Sequence, residues 1–245
     1  MLVDLHCHLT APEFEKNLDE VLLRSRDMIA VSSGVNWEDN KKVLALCKKY
    51  KQVKAGLGLY PLDALKLNEE KFQRDLDFIR KHKDEFVYVG EAGLDYKESD
   101  NAKKQRDQFE KIISFVEKLK KPLLIHSRKA ELDCVELLES SSVKTVIFHS
   151  FTGKLKLAQK IADLGWCFSI PTAVVKSEQF QKVVAEVDIS QLFTETDAPF
   201  MSPHFGKRNE PSFVVEGVKK IAELKGLDGD EVVKMLYVNF QKKLL

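Results

Sequence analysis

Short apolar segments alternate along the chain with longer segments whose apolar residues recur every three or four positions. The short segments are rich in Val and Ile and have the length of β-strands, whereas the longer ones have the periodicity of helices that pack one face on a sheet. The pattern predicts strands at residues 1–8, 28–35, 53–60, 87–94, 122–127, 145–151, 166–170 and 192–196. It predicts helices at residues 14–26, 37–50, 69–83, 103–119, 129–140, 155–164, 178–186, 211–225 and 229–242.

Eight strands, each followed by a helix, predict an α/β protein built as a single (β/α)8 TIM barrel, to which the last segment adds a C-terminal helix. The length of 245 residues suits one such domain over residues 1–245, and no Ser-, Gly- or Pro-rich linker divides the chain. An open doubly wound sheet is the alternative fold. It favours a glycine-rich turn after the first strand, but the turn here reads H-L-T-A-P-E, so the pattern favours the barrel.

Three of the predicted helices begin with a residue that caps helices well. Asn36 and Asn68 each precede acidic residues in the first helical turn, and Ser177 precedes E-Q-F. An Asn or Ser side chain at this position accepts a hydrogen bond from a free backbone N–H group of the first turn. We therefore predict all three as N-caps.

The first strand reads M-L-V-D-L-H-C-H and carries two histidines near its carboxyl end. Strict alternation of side chains would place Asp4, His6 and His8 on one face, with Val3, Leu5 and Cys7 on the other. Two imidazoles on one face at a strand end are a suitable pair of metal ligands. The motif is too short to establish a metal site alone, because paired histidines also occur as hydrogen-bonded core residues.

Four further residues with donor side chains lie at or near the carboxyl ends of predicted strands: Glu91, His126, His149 and Asp197. Each alone has an ordinary explanation, such as a core hydrogen bond, an ion pair or a turn. Barrel strands converge at their carboxyl ends, where these charges would be costly to bury together without a balancing cation. Together with His6 and His8 they exceed the ligands of one tetrahedral ion and suit two divalent ions sharing a carboxylate, an arrangement typical of hydrolytic enzymes that cleave phosphoesters.

Composition narrows the class of protein. The formal net charge of +1 excludes a global basic field for nucleic acid, so any anion must be bound by a local cluster. The four cysteines, scattered without C-x-x-C spacing, indicate free thiols in a reducing compartment.

We expect no signal peptide, no membrane span and a cytoplasmic location, because the N-terminus lacks a charged segment before an apolar run and every apolar run is short. The sequence indicates no oligomeric state.

The order of motifs resembles the TatD-related DNase family of metal-dependent, amidohydrolase-like barrels. The motifs that carry the resemblance are, in order, D-L-H-C-H, G-L-Y-P, G-E-A-G-L-D-Y, I-H-S-R, H-S-F-T-G, E-T-D-A-P and K-R-N-E-P. The resemblance implies one metal held by His6, His8, Glu91 and Asp197, and a second held by Glu91, His126 and His149, with Glu91 bridging the two. Histidine-rich ligation suits Zn²⁺ or Mn²⁺, and Mg²⁺ would be a weaker occupant.

The family implies a metal-dependent hydrolase of ester bonds, a deoxyribonuclease that acts as a 3′-to-5′ exonuclease. The depth of a barrel mouth favours a single strand or a 3′ end of DNA over an intact duplex, and RNA is an alternative substrate. Asp197 and Glu91 are the expected catalytic residues, and Asp197 would both bind metal and accept the proton of the attacking water. The candidate substrate contacts are Arg128, Arg208, Asn209, Tyr60 and His204. Tyr60 departs from the family, which commonly has a histidine there, and this affects the expected substrate preference or rate.

Two other functions stay open at this point. The same ligand set serves a deacylase or amidohydrolase that attacks a carbonyl centre, for example in aminoacyl-tRNA. A non-catalytic protein that binds metal or nucleic acid is the third interpretation, although the complete ligand set favours an enzyme.

Overall fold

The computed structural model of the chain describes residues 1–245 and contains one parallel sheet whose eight strands follow each other in chain order. The strands are β1 (Leu2–Cys7), β2 (Met28–Ser33), β3 (Val53–Leu57), β4 (Tyr88–Asp95), β5 (Leu123–Arg128), β6 (Val146–His149), β7 (Cys167–Pro171) and β8 (Leu192–Glu195). All seven neighbouring pairs are parallel. The sheet curls into a nearly closed barrel, which confirms the predicted fold and excludes the doubly wound alternative.

Ten α-helices surround the barrel. They are α1 (Leu18–Arg24), α2 (Trp37–Lys49), α3 (Pro61–Leu65), α4 (Glu69–Lys81), α5 (Ala102–Leu119), α6 (Glu131–Glu139), α7 (Leu155–Asp163), α8 (Glu178–Glu186), α9 (Val214–Lys225) and α10 (Gly229–Leu244). The short α3 was not predicted, and the predicted helix 14–26 divides into the 3-10 turn Pro12–Phe14 and the shorter α1. None of these helices combines the length and the apolar character that crossing a bilayer requires.

All three predicted N-cap residues stand at the N-cap of their helices, and two of them make the expected hydrogen bond. Asn36 accepts a hydrogen bond from Asp39 N at 3.1 Å, and Asn68 accepts one from Lys71 N at 2.9 Å. Ser177 occupies the predicted N-cap position of α8, but its side chain makes no capping hydrogen bond. Helix α8 buries Phe180, Val183 and Val184, and this apolar face holds the helix on the barrel without a side-chain cap.

Side chains and loop backbone join β8 to β1 where the barrel closes. Thr194 Oγ1 of β8 donates to Val3 O of β1 at 2.8 Å. In the segment after β8, Asp197 N donates to His6 O at 2.9 Å, and Ala198 O accepts a hydrogen bond from His8 N at 2.7 Å. These bonds attach the segment that carries Asp197 directly to the segment that carries both early histidines.

The apolar core has two main layers. The larger lies between the strands and the helices, and the smaller fills the inside of the barrel with Val3, Leu5, Val31, Val87, Tyr88, Leu124, Ile147, Cys167 and Phe193. Phe240 and Leu244 of α10 belong to this inner cluster, together with Val3 and Val87 at the amino ends of β1 and β4. The added C-terminal helix therefore covers the amino end of the barrel and leaves the carboxyl end open.

Candidate metal centre

A local irregularity in β1 turns both early histidines toward the barrel mouth. The register of β1 against β2 shifts between Asp4 and Cys7. Leu5 packs in the inner cluster, whereas Cys7 packs in a separate cluster with Val21 of α1. Strict alternation is therefore wrong here, because the bulge lets Leu5 and His6 share the inner side of the barrel.

Asp4 was predicted to share a face of β1 with the two histidines, but it does not. Its carboxylate is buried and accepts hydrogen bonds from Thr196 Oγ1 at 2.6 Å and Thr196 N at 2.8 Å. Burial raises the pKa of Asp4 to about 8, even though the bonds from Thr196 act in the opposite direction. Asp4 thus supports the junction of β1 and β8 and is not a candidate ligand.

All six predicted metal ligands meet at the carboxyl end of the barrel, with Glu91 at their centre. Glu91 Oε2 lies 3.6 Å from the Nε2 atoms of both His6 and His8. Glu91 Oε1 lies 2.7 Å from His126 Nδ1 and 3.2 Å from His149 Nε2. One carboxylate therefore presents a different oxygen to each pair of imidazoles.

Asp197 completes the half of the centre formed by the first strand. Its Oδ1 lies 3.5 Å from His6 Nε2 and 3.4 Å from His8 Nε2. Its backbone has a φ of 56°, in the left-handed region that Asp tolerates better than most residues. This conformation lies two residues beyond β8, where the chain turns across the mouth.

The donor set fits divalent cations. His6 Nε2 is buried and has no hydrogen-bond partner, although it lies between two carboxylates. The potential ligand atoms of His6, His8 and Asp197 lie within 4.8 Å of one another, as do those of His6, Glu91 and His149. An orphaned buried nitrogen beside oxygen donors is the arrangement that a metal ion satisfies. The family resemblance implies Glu91, His126 and His149 as the ligands of the second metal. The second group defined by distance contains His6 in place of His126.

The electrostatics favour a centre with ionised carboxylates and a neutral His6. Burial alone would raise the pKa of Glu91, but the imidazoles of His149 and His126 outweigh it and hold that pKa well below its usual value. The pKa of Asp197 is likewise lowered, because the adjacent imidazoles of His6 and His8 outweigh the effect of its burial. Burial lowers the pKa of His6, which leaves its ring nitrogen able to donate a lone pair.

Asp95 holds the outer side of His126 and was not among the predicted site residues. Its Oδ2 lies 3.0 Å from His126 Nε2 and accepts a hydrogen bond from the Tyr60 hydroxyl at 3.1 Å. The Tyr60 ring also meets the His126 ring edge to face, with centroids 5.0 Å apart. Burial of Asp95 alone would raise its pKa, but the bond to His126 and the bond from Glu98 N bring it down to about 2. A carboxylate here directs the proton of His126 to Nε2 and leaves Nδ1 facing Glu91.

Three more supporting residues hold the other histidines. The Ser33 hydroxyl lies 2.9 Å from His6 Nδ1 and 2.6 Å from the buried Tyr88 hydroxyl, which donates to Leu5 O. Glu195 Oε1 lies 3.5 Å from His149 Nδ1 and accepts hydrogen bonds from the backbone and side chain of Ser150. The Ser33 hydroxyl fixes the ring orientation of His6, and the Glu195 carboxylate lies beside the outer ring nitrogen of His149.

The centre forms the floor of a cavity of about 980 Å³ at the barrel mouth. Two of the predicted substrate contacts, Tyr60 and Arg128, line this cavity. The Arg128 side chain is 46% exposed, and its Nη1 lies 3.5 Å from Glu98 Oε1, so the guanidinium remains accessible to a phosphate.

The structure does not bring Arg208, Asn209 or His204 to this cavity. Arg208 donates hydrogen bonds to Glu13 O and Asn17 Oδ1, and its guanidinium stacks on the ring of Phe14. Asn209 is buried and donates to Thr172 Oγ1 and Thr196 O, at 2.9 and 2.7 Å. The exposed His204 packs its ring on Phe213. Their packing holds the loop after β8, and substrate contact by them stays a prediction without support from this geometry.

Known proteins match this chain over nearly its whole length. A family model described as TatD related DNase matches residues 3–244. An uncharacterized metal-dependent hydrolase of Methanocaldococcus jannaschii is 34% identical over 239 residues, which cover 97% of this chain and 94% of that protein. Human deoxyribonuclease TATDN3 is 30% identical over 256 residues, which cover 98% of this chain and 93% of the human protein.

Solved structures give the same fold. The crystal structure of YJJV, a TatD homologue from Escherichia coli, superimposes with a TM-score of 0.91 at 24% identity and covers 99% of this chain and 97% of that one. A TatD family hydrolase from Entamoeba histolytica superimposes with a TM-score of 0.90 at 21% identity, covering 100% and 98%. The resemblance seen in the sequence motifs is confirmed, and the chain belongs to the TatD related DNase family.

Proposed function

We propose that this protein is a divalent-metal-dependent phosphodiesterase that degrades DNA from a 3′ end. The observation that carries the proposal is the position of Glu91, whose two oxygens face two different pairs of imidazoles. That geometry suits two ions rather than one. The choice of DNA and of the 3′ end follows the family to which the chain belongs and the name of its human relative.

The chain's own residues have distinct roles in this proposal. His6, His8 and Asp197 would hold one ion and His126 and His149 the other, with Glu91 between them. Bound divalent ions would supply Lewis acidity toward the phosphate and lower the pKa of water at the site. Asp197 is ionised and its side chain is 15% exposed at the cavity floor, so it is placed to accept the proton of an attacking water.

The walls of the cavity supply substrate contacts of two kinds. Arg128 presents a planar guanidinium suited to a phosphate oxygen. Tyr60 stays a neutral hydrogen-bond donor, because its burial and the nearby carboxylates raise the pKa of its hydroxyl. A histidine at this position would be able to become a cation near neutral pH, so Tyr60 removes one source of pH-dependent affinity for phosphate.

The test uses a 5′-labelled single-stranded DNA oligonucleotide and metal-stripped protein, to which Mg²⁺, Mn²⁺ or Zn²⁺ is added in turn. We expect a metal-dependent ladder that shortens from the 3′ end. The variant Glu91→Ala should give no ladder, since it removes the carboxylate shared by both halves of the centre. Glu186→Ala, which removes an exposed carboxylate at the end of α8, is the matched control and should cleave like the wild type.

Each other outcome points to a different function. Internal fragments rather than a ladder would overturn the exonuclease and keep the phosphodiesterase. Metal binding without cleavage of DNA or RNA would direct attention to carbonyl substrates such as aminoacyl esters, for which the same donor set is suited. Stoichiometric nucleic-acid binding without turnover under every metal would favour a non-catalytic binding protein.

A further inference from the structure

Phe200 places an exposed aromatic ring beside the metal centre. It follows the candidate ligand Asp197 by three residues, and its backbone N–H donates to Asp197 O at 2.8 Å. The side chain is 55% exposed and lines the mouth cavity. Its ring centroid lies 6.1 Å from that of His8. The turn therefore fixes an apolar ring next to the floor on which a phosphate would lie.

A second phenylalanine of the same loop provides a comparison. Phe205 is fully exposed, but it does not line the cavity. Single exposed apolar side chains are common and need no function. Phe200 differs because its exposed face belongs to the wall of a cavity that also contains five of the six candidate metal ligands.

Besides the candidate metal ligands, charged residues of both signs line the cavity: Arg128 and Lys42, with Glu15, Glu38 and Asp39. Phe200 and Met201 give the lining an apolar part, and Phe200 lies next to His8. A nucleotide has the same division, because its base lies one sugar away from its charged phosphate. Stacking on an aromatic ring is tolerant of sequence, since every base presents a π face.

We propose that Phe200 stacks on the base of a nucleotide adjoining the scissile phosphate and so selects strands that have a base at that position. The inference rests on the proposed phosphodiesterase function and adds a substrate contact to it. It predicts that an abasic end is a poor substrate, because the phosphate contacts remain while the stacking contact is lost.

The experiment measures kcat/KM for two single strands that are identical except at the degraded end, where one has its natural bases and the other has abasic residues. We expect the wild type to prefer the natural end by about tenfold or more, the size typical of one stacked base. Phe200→Ala should cleave both strands at nearly the rate of the wild type on the abasic strand. Phe200→Tyr should restore the preference, and the control Phe205→Ala should keep it.

A binding measurement separates this inference from the proposed function. Strands with 2-aminopurine at the degraded end report stacking through quenched fluorescence, without any turnover. Stronger quenching by the wild type than by Phe200→Ala supports the stacking contact, even if neither protein cleaves DNA. Equal fluorescence with the two proteins, or an unchanged preference for natural ends in Phe200→Ala, overturns it. Absence of cleavage by the wild type overturns the proposed function alone.

Discussion

His126 is held through both of its ring nitrogens, and this decides which of them is free to bind metal. Asp95 Oδ1 accepts the backbone N–H groups of Lys97 and Glu98, each at 3.0 Å, and Asp95 Oδ2 lies 3.0 Å from His126 Nε2. In Asp95→Asn the backbone contacts can persist, but an amide NH₂ then faces Nε2. His126 must carry its proton on Nδ1, the atom 2.7 Å from Glu91.

We therefore expect Asp95→Asn to weaken metal binding by about 10- to 100-fold, with little change in folding. Equilibrium dialysis with Zn²⁺ or Mn²⁺ measures the affinity and the number of ions per chain. Tyr60→Phe is the matched control, because it removes the other hydrogen bond to Asp95 Oδ2 and leaves the carboxylate in place. Wild-type affinity in Asp95→Asn would show that this carboxylate does not fix the tautomer.

The sequence predicted the six residues that meet at the barrel mouth because each lies at or near a strand end, and strand ends converge in this fold. It did not reveal Asp95 or Glu195, although both lie in quoted motifs, since their contacts join different strands. The prediction that Leu5 and His6 lie on opposite faces of β1 was wrong for a similar reason. A bulge is set by the partner strand and leaves no mark in the alternation of β1 itself.

At the scale of elements, β3 and β4 are fitted to each other around the Tyr88 ring. A Cβ atom added at Gly56 would lie 2.3 Å from Tyr88 Cε2, far inside contact distance. Tyr88 is fully buried in the barrel interior, and its hydroxyl bonds to Ser33 and Leu5 O beneath His6. The absence of a side chain at Gly56 on β3 thus leaves room for the Tyr88 ring of β4, which supports the metal centre.

We expect Gly56→Ala to lower the free energy of unfolding by about 1–3 kcal/mol, the usual cost of overpacking a core. It should also weaken metal binding, since Tyr88 must move away from its position below His6. Urea unfolding and metal titration measure the two effects. Gly229→Ala, where the added Cβ meets nothing within 4 Å, should leave both quantities close to wild type. If the two variants behave alike, Gly56 has no special packing role.

The alternation of strands and helices was enough to predict the barrel, because each element carries its own periodicity. The segments between them were less predictable. Helix α3 has only five residues, too few to show an apolar stripe, and residues 14–17 leave the helical pattern that the apolar spacing suggested. Loop structure depends on contacts such as those of Arg208, which are made with the distant residues Glu13 and Asn17.

At the scale of the whole molecule, the ion pair of Arg24 and Glu210 joins α1 to the segment that precedes α9. Arg24 Nε and Nη2 donate to the two Glu210 oxygens at 2.7 and 2.6 Å, in a bidentate pair. The Glu210 side chain is 9% exposed and that of Arg24 is 47% exposed. Residues 186 positions apart are thereby held together.

Arg24→Ala should therefore reduce stability in a pH-dependent way. Burial alone would raise the pKa of Glu210, but the bonds from Arg24 outweigh it and hold the pKa below its usual value. A carboxylate with a lowered pKa stabilises the fold at pH values above its unfolded pKa, about 4.3 for Glu, and this contribution is lost as the pH falls through the folded value.

We expect Arg24→Ala to lower the free energy of unfolding by about 1 kcal/mol at pH 7, a modest value because the exposed half of Arg24 is screened by solvent. The difference from wild type should shrink as the pH falls below about 4, where Glu210 becomes protonated in both proteins. Urea unfolding of both proteins at several pH values measures this difference in the free energy of unfolding. Arg26→Ala removes a 3.4 Å pair with Asp27 in which both side chains are largely exposed, and it should have little effect at any pH. A difference between Arg24→Ala and wild type that stays constant from pH 7 to pH 3 would mean that Arg24 acts through packing and not through the charge of Glu210.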